Sequence, residues 1–486
     1  MKMRLSNIHN VYLIGIGGIG MSALARYFNA IGKCVGGYDK TPTKLTDELI
    51  AEGICIHFED EVDLIPEQFK SKSAENKLEI LIVYTPAVPV SHKEFIFFKS
   101  NGFALKKRAE VLGLITENSY TVAVAGTHGK TTTSSLIAHI FKIAGLDPSA
   151  FLGGVTQNYN TNLILNENLK HGGINSYEPV ASKFPNLLVV EADEYDRSFL
   201  TLYPKIAVIT SVDADHLDIY GDKKLVEESY NLFARQVKSI LILKKSIVDK
   251  IKFDKKIITY SLSDNTADYY TQNIQIKNGV YYYDVVTPSG IISKLTLGVP
   301  GLHNLENSIA AIAVAFQLNI SEQNITTALA SFKGVRRRFE YHIKTNDLVF
   351  IDDYAHHPEE LKAAITSVKA MYPTKKITGI FQPHLFSRTR DFADEFAKSL
   401  DLLDECILME IYPAREKPID GIDSSMLLNK MHLLNKTICQ KNELVNTLVN
   451  KKIEVLLTMG AGDIDTFIEP IKNQLIKSHH ITVEKI

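Results

Sequence analysis

Short apolar runs recur along the chain. Most are closed by a glycine turn or an acidic cluster and followed by a stretch with helical spacing. In the N-terminal part, residues 11–14, 34–39 and 79–84 read as strands and 21–30 as a helix, an alternation that predicts a parallel sheet. A second strand–turn–helix starts at Thr121, which predicts a domain boundary near residue 118 and a helix over 134–143. The runs 187–190 and 206–210 are buried-type strands that end in acidic or polar residues. Between 269 and 297 the pattern changes to alternation, with Asn278-Gly279 and Ser289-Gly290 as turn signals, so antiparallel hairpins are expected. A helix over 308–318 and a basic link over 334–340 follow. Four more strands, 348–351, 377–381, 405–409 and 454–458, lie between helical stretches and predict a further α/β domain. The chain reads as α/β, with domains over 1–118, 119–334 and 335–486.

Composition agrees with this division. A length of 486 residues suits three domains at roughly 150 residues each. With 45% hydrophobic and 23% charged residues, the chain can bury real cores. A net charge of −2 points to neither nucleic acid nor a membrane surface as partner. No apolar run approaches the ~20 residues that span a bilayer, and the first residues lack the apolar core of a signal peptide. The four cysteines show no paired spacing and read as reduced thiols. The expectation is a cytoplasmic protein without membrane insertion, as a monomer or homodimer.

The chemistry concentrates at strand ends. The strand from Thr121 runs into Gly126-Thr127-His128-Gly129-Lys130-Thr131-Thr132 and a helix. Glycines let backbone N–H groups approach phosphate oxygens, the lysine supplies a cation, and a hydroxyl reaches magnesium. The loop is a shortened variant of G-x-x-x-x-G-K-[ST], with Val124 where the first glycine would stand. Gly15-x-Gly17-Gly18-Ile19-Gly20 also follows a strand and opens a helix, and Asp39 lies 19 residues beyond Gly20. By itself this is a dinucleotide fingerprint with an acid for a ribose hydroxyl, yet any nucleotide diphosphate satisfies a helix N-terminus. A second nucleotide loop in the same chain favours an enzyme of two nucleotides over a dehydrogenase.

Glu191, Asp193, Glu194, Asp196 and Arg197 follow the strand 187–190, where a glutamate can hold Mg²⁺ against a triphosphate. The next strand ends in Asp213, Asp215, His216 and Asp218. Asn304 either reads an adenine edge or caps a helix. Arg336, Arg337 and Arg338 form either a charged hinge or a source of a guanidinium for the γ-phosphate. Asp352-Asp353-Tyr354-Ala355-His356-His357 and Gln382 to Arg390 both follow strands, so they can face one cleft, where arginines suit a substrate carboxylate.

Together these segments resemble the Mur ligases, nearly end to end. The specific pieces are 15–25 (GIGGIGMSALA), 126–132 (GTHGKTT), 191–199 (EADEYDRSF), 213–218 (DADHLD), 352–358 (DDYAHHP), 381–389 (FQPHLFSRT) and 412–416 (YPARE). His128, where other Mur ligases usually carry Asn, favours the alanine-adding branch. The resemblance implies a Rossmann-like N-terminal domain for the UDP-sugar and a central P-loop ATPase-type domain with a mostly parallel sheet. It also implies a C-terminal Rossmann-like domain that helps bind amino acid and ATP.

Carried over by motif, Gly17, Gly18, Ile19 and Gly20, with Arg197, would face the UDP-sugar. Gly126, Thr127, His128, Gly129, Lys130, Thr131 and Thr132 would hold ATP, helped by Asn304, Arg337 or Arg338, and Asp353. Thr131 and Glu191 would bind Mg²⁺, and His216 would stand at a second Mg²⁺. Tyr354, His356 and Arg388 would form the amino-acid pocket, and Lys130, His216, His356 and Arg388 would carry catalysis, with His356 the candidate base. Several relatives carry a carbamoylated lysine beyond the DxxH segment, but residues 225–236 contain no lysine, which fits the alanine-adding branch.

The implied reaction joins L-alanine to the lactyl carboxylate of UDP-N-acetylmuramate through an acyl phosphate, releasing ADP and phosphate, in peptidoglycan precursor synthesis. Charge neutralisation by Mg²⁺, Lys130 and a linker arginine would drive the first step. Three other readings compete. One is a recycling-type member that adds a preformed peptide, whose third-domain motif usually differs from FQPHLFSRT. The second is an NAD-dependent oxidoreductase, which leaves the loop at 126–132 without a purpose. The third is a nucleotide-switched binding protein without turnover.

Overall fold

The computed structural model describes residues 5–70, 73–85, 88–170, 184, 186–213, 220, 222–277, 279–414, 416–449 and 451–479. The expected turn residue Asn278 and the site candidate His216 lie outside them. The chain gathers into two compact units. One comprises Met1–Tyr270, Val286–Gly290 and Ser308–Ala328; the other comprises Thr271–Val285, Ile291–Asn307 and Leu329–Ile486.

The first unit opens with β1 (Asn10–Ile14), α1 (Ile19–Ala30), β2 (Cys34–Tyr38), β3 (Cys55–His57), β4 (Ile80–Tyr84), α2 (Lys93–Ser100), β5 (Ala104–Lys107) and α3 (Arg108–Glu117). The strands form a parallel sheet in the order β3-β2-β1-β4-β5. Alternate residues of β1 enter different cores. Val11 and Leu13 pack on one face, Tyr12 and Ile14 on the other, which explains the unbroken apolar run. The strands β3 and β5 escape a reading of the pattern because they are short and only partly buried.

A larger sheet follows, with β6 (Tyr120–Ala125), α4 (Lys130–Ile143), β7 (Ser149–Thr156), β8 (Thr161–Ile164), β9 (Leu187–Glu191), β10 (Ile206–Ile209), α5 (Lys223–Gln236), β11 (Ile240–Lys244) and β12 (Lys256–Ser261). These seven run in the order β12-β11-β10-β6-β9-β7-β8 within a sheet of ten strands, parallel among themselves except for the hairpin of β7 and β8. The expected helix at 134 starts four residues earlier, at Lys130. Threonines disfavour helix by propensity, but Gly129, at the N-cap position, takes the left-handed region at φ 80° that glycine adopts freely, and this turn fixes the start of the helix. The two sheets share a core: Leu24 and Phe28 of α1 cluster with Ala125, Phe151, Val190 and Ile209. The side-chain amide of Asn162 donates to the Ile19 carbonyl at 2.6 Å, pinning the first turn of α1 to β8.

The strands β13 (Tyr269–Lys277), β14 (Val280–Thr287) and β15 (Gly290–Leu297) are neighbours in that order. Connections of two residues between adjacent strands make them hairpins, as the alternation predicts. The helix α6 spans Leu302–Gln317.

The second unit carries the third sheet: β16 (Glu340–Lys344), β17 (Val349–Asp353), α7 (Pro358–Met371), β18 (Ile377–Phe381), α8 (Phe386–Asp391), β19 (Glu405–Met409), β20 (Lys436–Cys439) and β21 (Val455–Met459). The order is β16-β17-β21-β18-β19-β20, with only β16 antiparallel. The four strands read from the sequence are its buried centre, and the two that were not are its edges. The fold is thus a three-domain α/β architecture with mostly parallel sheets. Among the described residues no helix is long and apolar enough to cross a membrane.

Candidate active site

The central loop grips its own backbone. A Cβ at Gly126, whose φ is +133°, would stand 2.0 Å from the Thr210 hydroxyl and 2.9 Å from main chain, so only glycine fits where β6 meets β10. Thr127 Oγ1 accepts the Asp213 N–H at 3.0 Å, and the His128 N–H donates to Ser211 Oγ at 2.9 Å. The His128 carbonyl accepts from the Thr210 hydroxyl, and the His128 ring lies 3.7 Å from the Asp213 carboxylate. These bonds fasten the loop to the end of β10. Gly129 has no side chain with which to cap α4, so the first turn, with Thr131 and Thr132 in it, offers N–H groups of the kind that suit an anion.

Lys130 Nζ donates to the carbonyls of Gly126 at 2.7 Å and Thr127 at 3.3 Å, and pairs with Glu194 at 2.8 and 2.9 Å. Burial works against the ammonium, but the carboxylates of Glu194, Asp193 and Glu191 outweigh it and keep the lysine charged. Burial pushes the Glu194 carboxyl up to about 7, against the pull of Lys130.

Glu191, at the end of β9, accepts from the Thr131 hydroxyl at 3.0 Å and from the Gly153 N–H at 2.9 Å. A hydroxyl and a carboxylate are the hard oxygens that Mg²⁺ takes, with phosphate and water completing its shell. Among the described residues no group of three or more His, Cys, Asp or Glu forms a metal cage. The donor set therefore fits a nucleotide-bound Mg²⁺.

The first glycine turn departs from the dinucleotide pattern in one respect. Asp39 Oδ2 accepts the Gly17 N–H at 2.7 Å and Oδ1 accepts the Thr41 N–H at 3.1 Å, so the acid that the fingerprint assigns to a ribose shapes the loop itself. Arg108 lies against Gly20: a Cβ there would meet its Nη1 at 2.3 Å. Its Nη2 reaches Asp193 at 3.4 Å. Gly18 is the N-cap of α1, Ile19 and Gly20 begin the first turn, and Ile19 is exposed. Arg197, at φ 54°, sits with its guanidinium 5.7 Å from the Tyr220 ring centre.

The second unit brings its own predicted residues together. The Tyr354 ring has Arg337 and Arg338 at 5.1 and 5.0 Å. His356 Nδ1 lies 3.0 Å from the Tyr354 carbonyl and 3.3 Å from Glu360. The rings of His356 and His384 are 6.1 Å apart, His384 stacks on Tyr412 at 5.8 Å, and buried Arg388 reaches His384 Nδ1 at 3.4 Å. The ends of β17 and β18 do face one cluster, although β21 lies between them.

Other candidates are bound into the fold. Arg337, at φ 60°, contacts Asp352 at 3.2 Å, the Gly460 carbonyl at 2.7 Å and Asp465 at 3.7 Å. Asp353 accepts N–H groups of Ala355 and Phe339, each at 2.8 Å, and burial pushes its carboxyl up to about 7. The Asn304 amide, within the first turn of α6, donates to the Pro300 carbonyl at 2.6 Å. Sequence reasoning gave no role to Arg108, Glu194, Glu360, His384 or Tyr412. His384 and Tyr412 lie inside quoted motifs, whereas nothing local marks Arg108 as the neighbour of Gly20.

Three α/β sheets, with helix N-termini opened by glycine at α1 and α4, define a multidomain nucleotide-binding protein. The chain belongs to the Mur ligase family, whose members are ATP-dependent. Residues 10–120 match the Mur ligase family catalytic domain, 124–315 the Mur ligase middle domain, and 337–462 the Mur ligase glutamate ligase domain. The chain is 50% identical to a UDP-N-acetylmuramate–L-alanine ligase of Flavobacterium psychrophilum, over 97% of this chain and 99% of the relative. It is 48% identical to that of Parabacteroides distasonis, over 98% and 99%. The crystal structure of a UDP-N-acetylmuramate-alanine ligase from Thermotoga maritima superposes with a TM-score of 0.78 at 26% identity, covering 96% of this chain and 99% of that one.

Proposed function

We propose that this protein joins L-alanine to the lactyl carboxylate of UDP-N-acetylmuramate in an ATP-dependent, amide-forming reaction of peptidoglycan precursor synthesis. The observation that carries the reading is the meeting of Lys130, Thr131 and Glu191 at one end of the central sheet, in a chain half identical end to end to ligases of that name. We place the domain boundaries near residues 118 and 334.

In this reading the α4 N-terminus and Lys130 hold the triphosphate, so that charge developing on the γ-phosphate meets donors already in place. Thr131 and Glu191 would hold Mg²⁺, which would neutralise phosphate charge, and the motif would give His216 to a second ion. The α1 N-terminus and Arg108 hold the diphosphate of the sugar nucleotide, whose lactyl carboxylate attacks the γ-phosphate. The alanine carboxylate pairs with Arg388, and the alanine amine attacks the acyl phosphate as phosphate leaves. His356 takes the amine's proton: donation from Nδ1 to the Tyr354 carbonyl leaves Nε2 in the basic form. In this reading the reaction runs in the cytoplasm.

The test is phosphate release by the purified protein with ATP, UDP-N-acetylmuramate and alanine, serine or glycine in turn. The expected result is release that needs both co-substrates, is fastest with alanine, and matches amide formed mole for mole. Nucleotide breakdown uncoupled from amide synthesis would overturn the reading.

A further inference from the structure

Lys130 offers three N–H donors and no acceptor, and all three are engaged: two on carbonyls of the loop and one on Glu194. A phosphate oxygen arriving at Nζ must replace one of these partners. The Gly126 and Thr127 carbonyls belong to a segment fastened at both ends, by the α4 turn and by the Thr127–Asp213 bonds. The Glu194 carboxylate sits at the end of a rotatable side chain. The main chain behind it is separately anchored, because the Glu194 carbonyl accepts the Arg197 N–H at 2.9 Å and the Tyr220 hydroxyl at 2.5 Å. A rotation of one side chain therefore frees the ammonium without disturbing the backbone.

Charge selects the same partner. The Glu194 side chain is 5% exposed and that of Lys130 is 14% exposed, so their attraction is little screened. A triphosphate brings negative charge to the same ammonium, and two anions cannot share it in so dry a place without repulsion. The adjacent carboxylate does not take over, because Asp193 faces Arg108 and the Tyr195 N–H.

We propose that Glu194 is a positioning residue of the ATP site: its carboxylate pairs with Lys130 and competes with the outer phosphates of the nucleotide for the same ammonium. The inference rests on the reading of 126–132 as the ATP loop. It means that the site contains its own competitor for the nucleotide, and that part of the binding energy is used to displace it.

The experiment is calorimetric titration of the full-length protein with adenylyl imidodiphosphate and Mg²⁺, beside steady-state kinetics in ATP. Glu194→Gln keeps the volume and removes the charge. It should tighten analogue binding by about threefold to tenfold and lower the KM for ATP without raising kcat. Glu194→Asp keeps the charge but shortens the reach; it should shift binding in the same direction by less, and it serves where the Gln variant does not fold. A merely structural role would weaken or leave unchanged the binding in both variants, and that result overturns the proposal. Failure of the wild-type protein to bind the analogue would instead overturn the reading of the loop, and the inference with it.

Discussion

The Thr131 hydroxyl donates to one oxygen of Glu191 at 3.0 Å, while the Gly153 N–H holds the other at 2.9 Å. The carboxylate is thus aimed by a hydroxyl and a main-chain N–H together. Glu191→Ala should raise the Mg²⁺ concentration for half-maximal turnover by about tenfold or more. An unchanged magnesium titration would remove Glu191 from the metal site.

Arg108 places a cation against the first turn of α1, the end of a helix that favours anions. Asp193 answers that charge only at 3.4 Å. A diphosphate at the same turn would meet the guanidinium and the helix together. Arg108→Ala should raise the KM for UDP-N-acetylmuramate by about tenfold and leave that for ATP within about twofold. Parallel losses for both substrates would contradict the assignment.

Buried Arg388 is steered by His384, itself stacked on Tyr412. A planar fork held this way suits an amino-acid carboxylate better than a flexible cation does. Arg388→Lys should lower kcat/KM for alanine by about tenfold to a hundredfold and affect ATP less. Equal loss in both would move the residue out of the alanine pocket.

Glu94 is buried beneath the first sheet, where Tyr12 donates to its Oε2 at 2.8 Å and His57 Nε2 stands 3.3 Å from its Oε1. His57 Nδ1 donates to the Glu59 carbonyl at 2.9 Å, so Nε2 is an acceptor, with the Tyr12 hydroxyl 2.7 Å away. Burial pushes this carboxyl up to about 8, far above the unfolded value of roughly 4.3. A raised carboxyl pKa means that the folded state holds the proton more tightly. Its stabilisation is complete below the unfolded pKa and is lost as pH rises through about 8. Between pH 6 and 9 the Tm of the wild type should fall more than that of Glu94→Gln. A constant Tm difference between the two would show that Glu94 does not titrate in this window.

Much of the site was legible because its signals are local. Gly126 and Gly129 take backbone conformations that other residues resist, and Lys130 and Thr131 follow directly on that turn. The motif around Glu191 likewise announced an acidic strand end. The chain pattern also misled in one direction: Asp39 stands where a ribose partner belongs, yet its carboxylate closes the Gly17 turn. Lys130 opens a helix whose threonines suggest a later start, because loop geometry overrides a weak propensity.

The sequence by itself determined the fold class, the buried centres of the sheets and the two glycine turns that open helices. Each of these depends on neighbours within a few residues, through hydrophobic periodicity and glycine backbone freedom. Only the tertiary structure decided who faces whom. Glu194 meets Lys130 across 64 positions and Arg108 meets Asp193 across 85, while Arg337 is taken up by Asp352 and Gly460. Such pairings are set by how β6, β9 and α3, or β17 and β21, are brought side by side, and no residue's immediate neighbours carry that information.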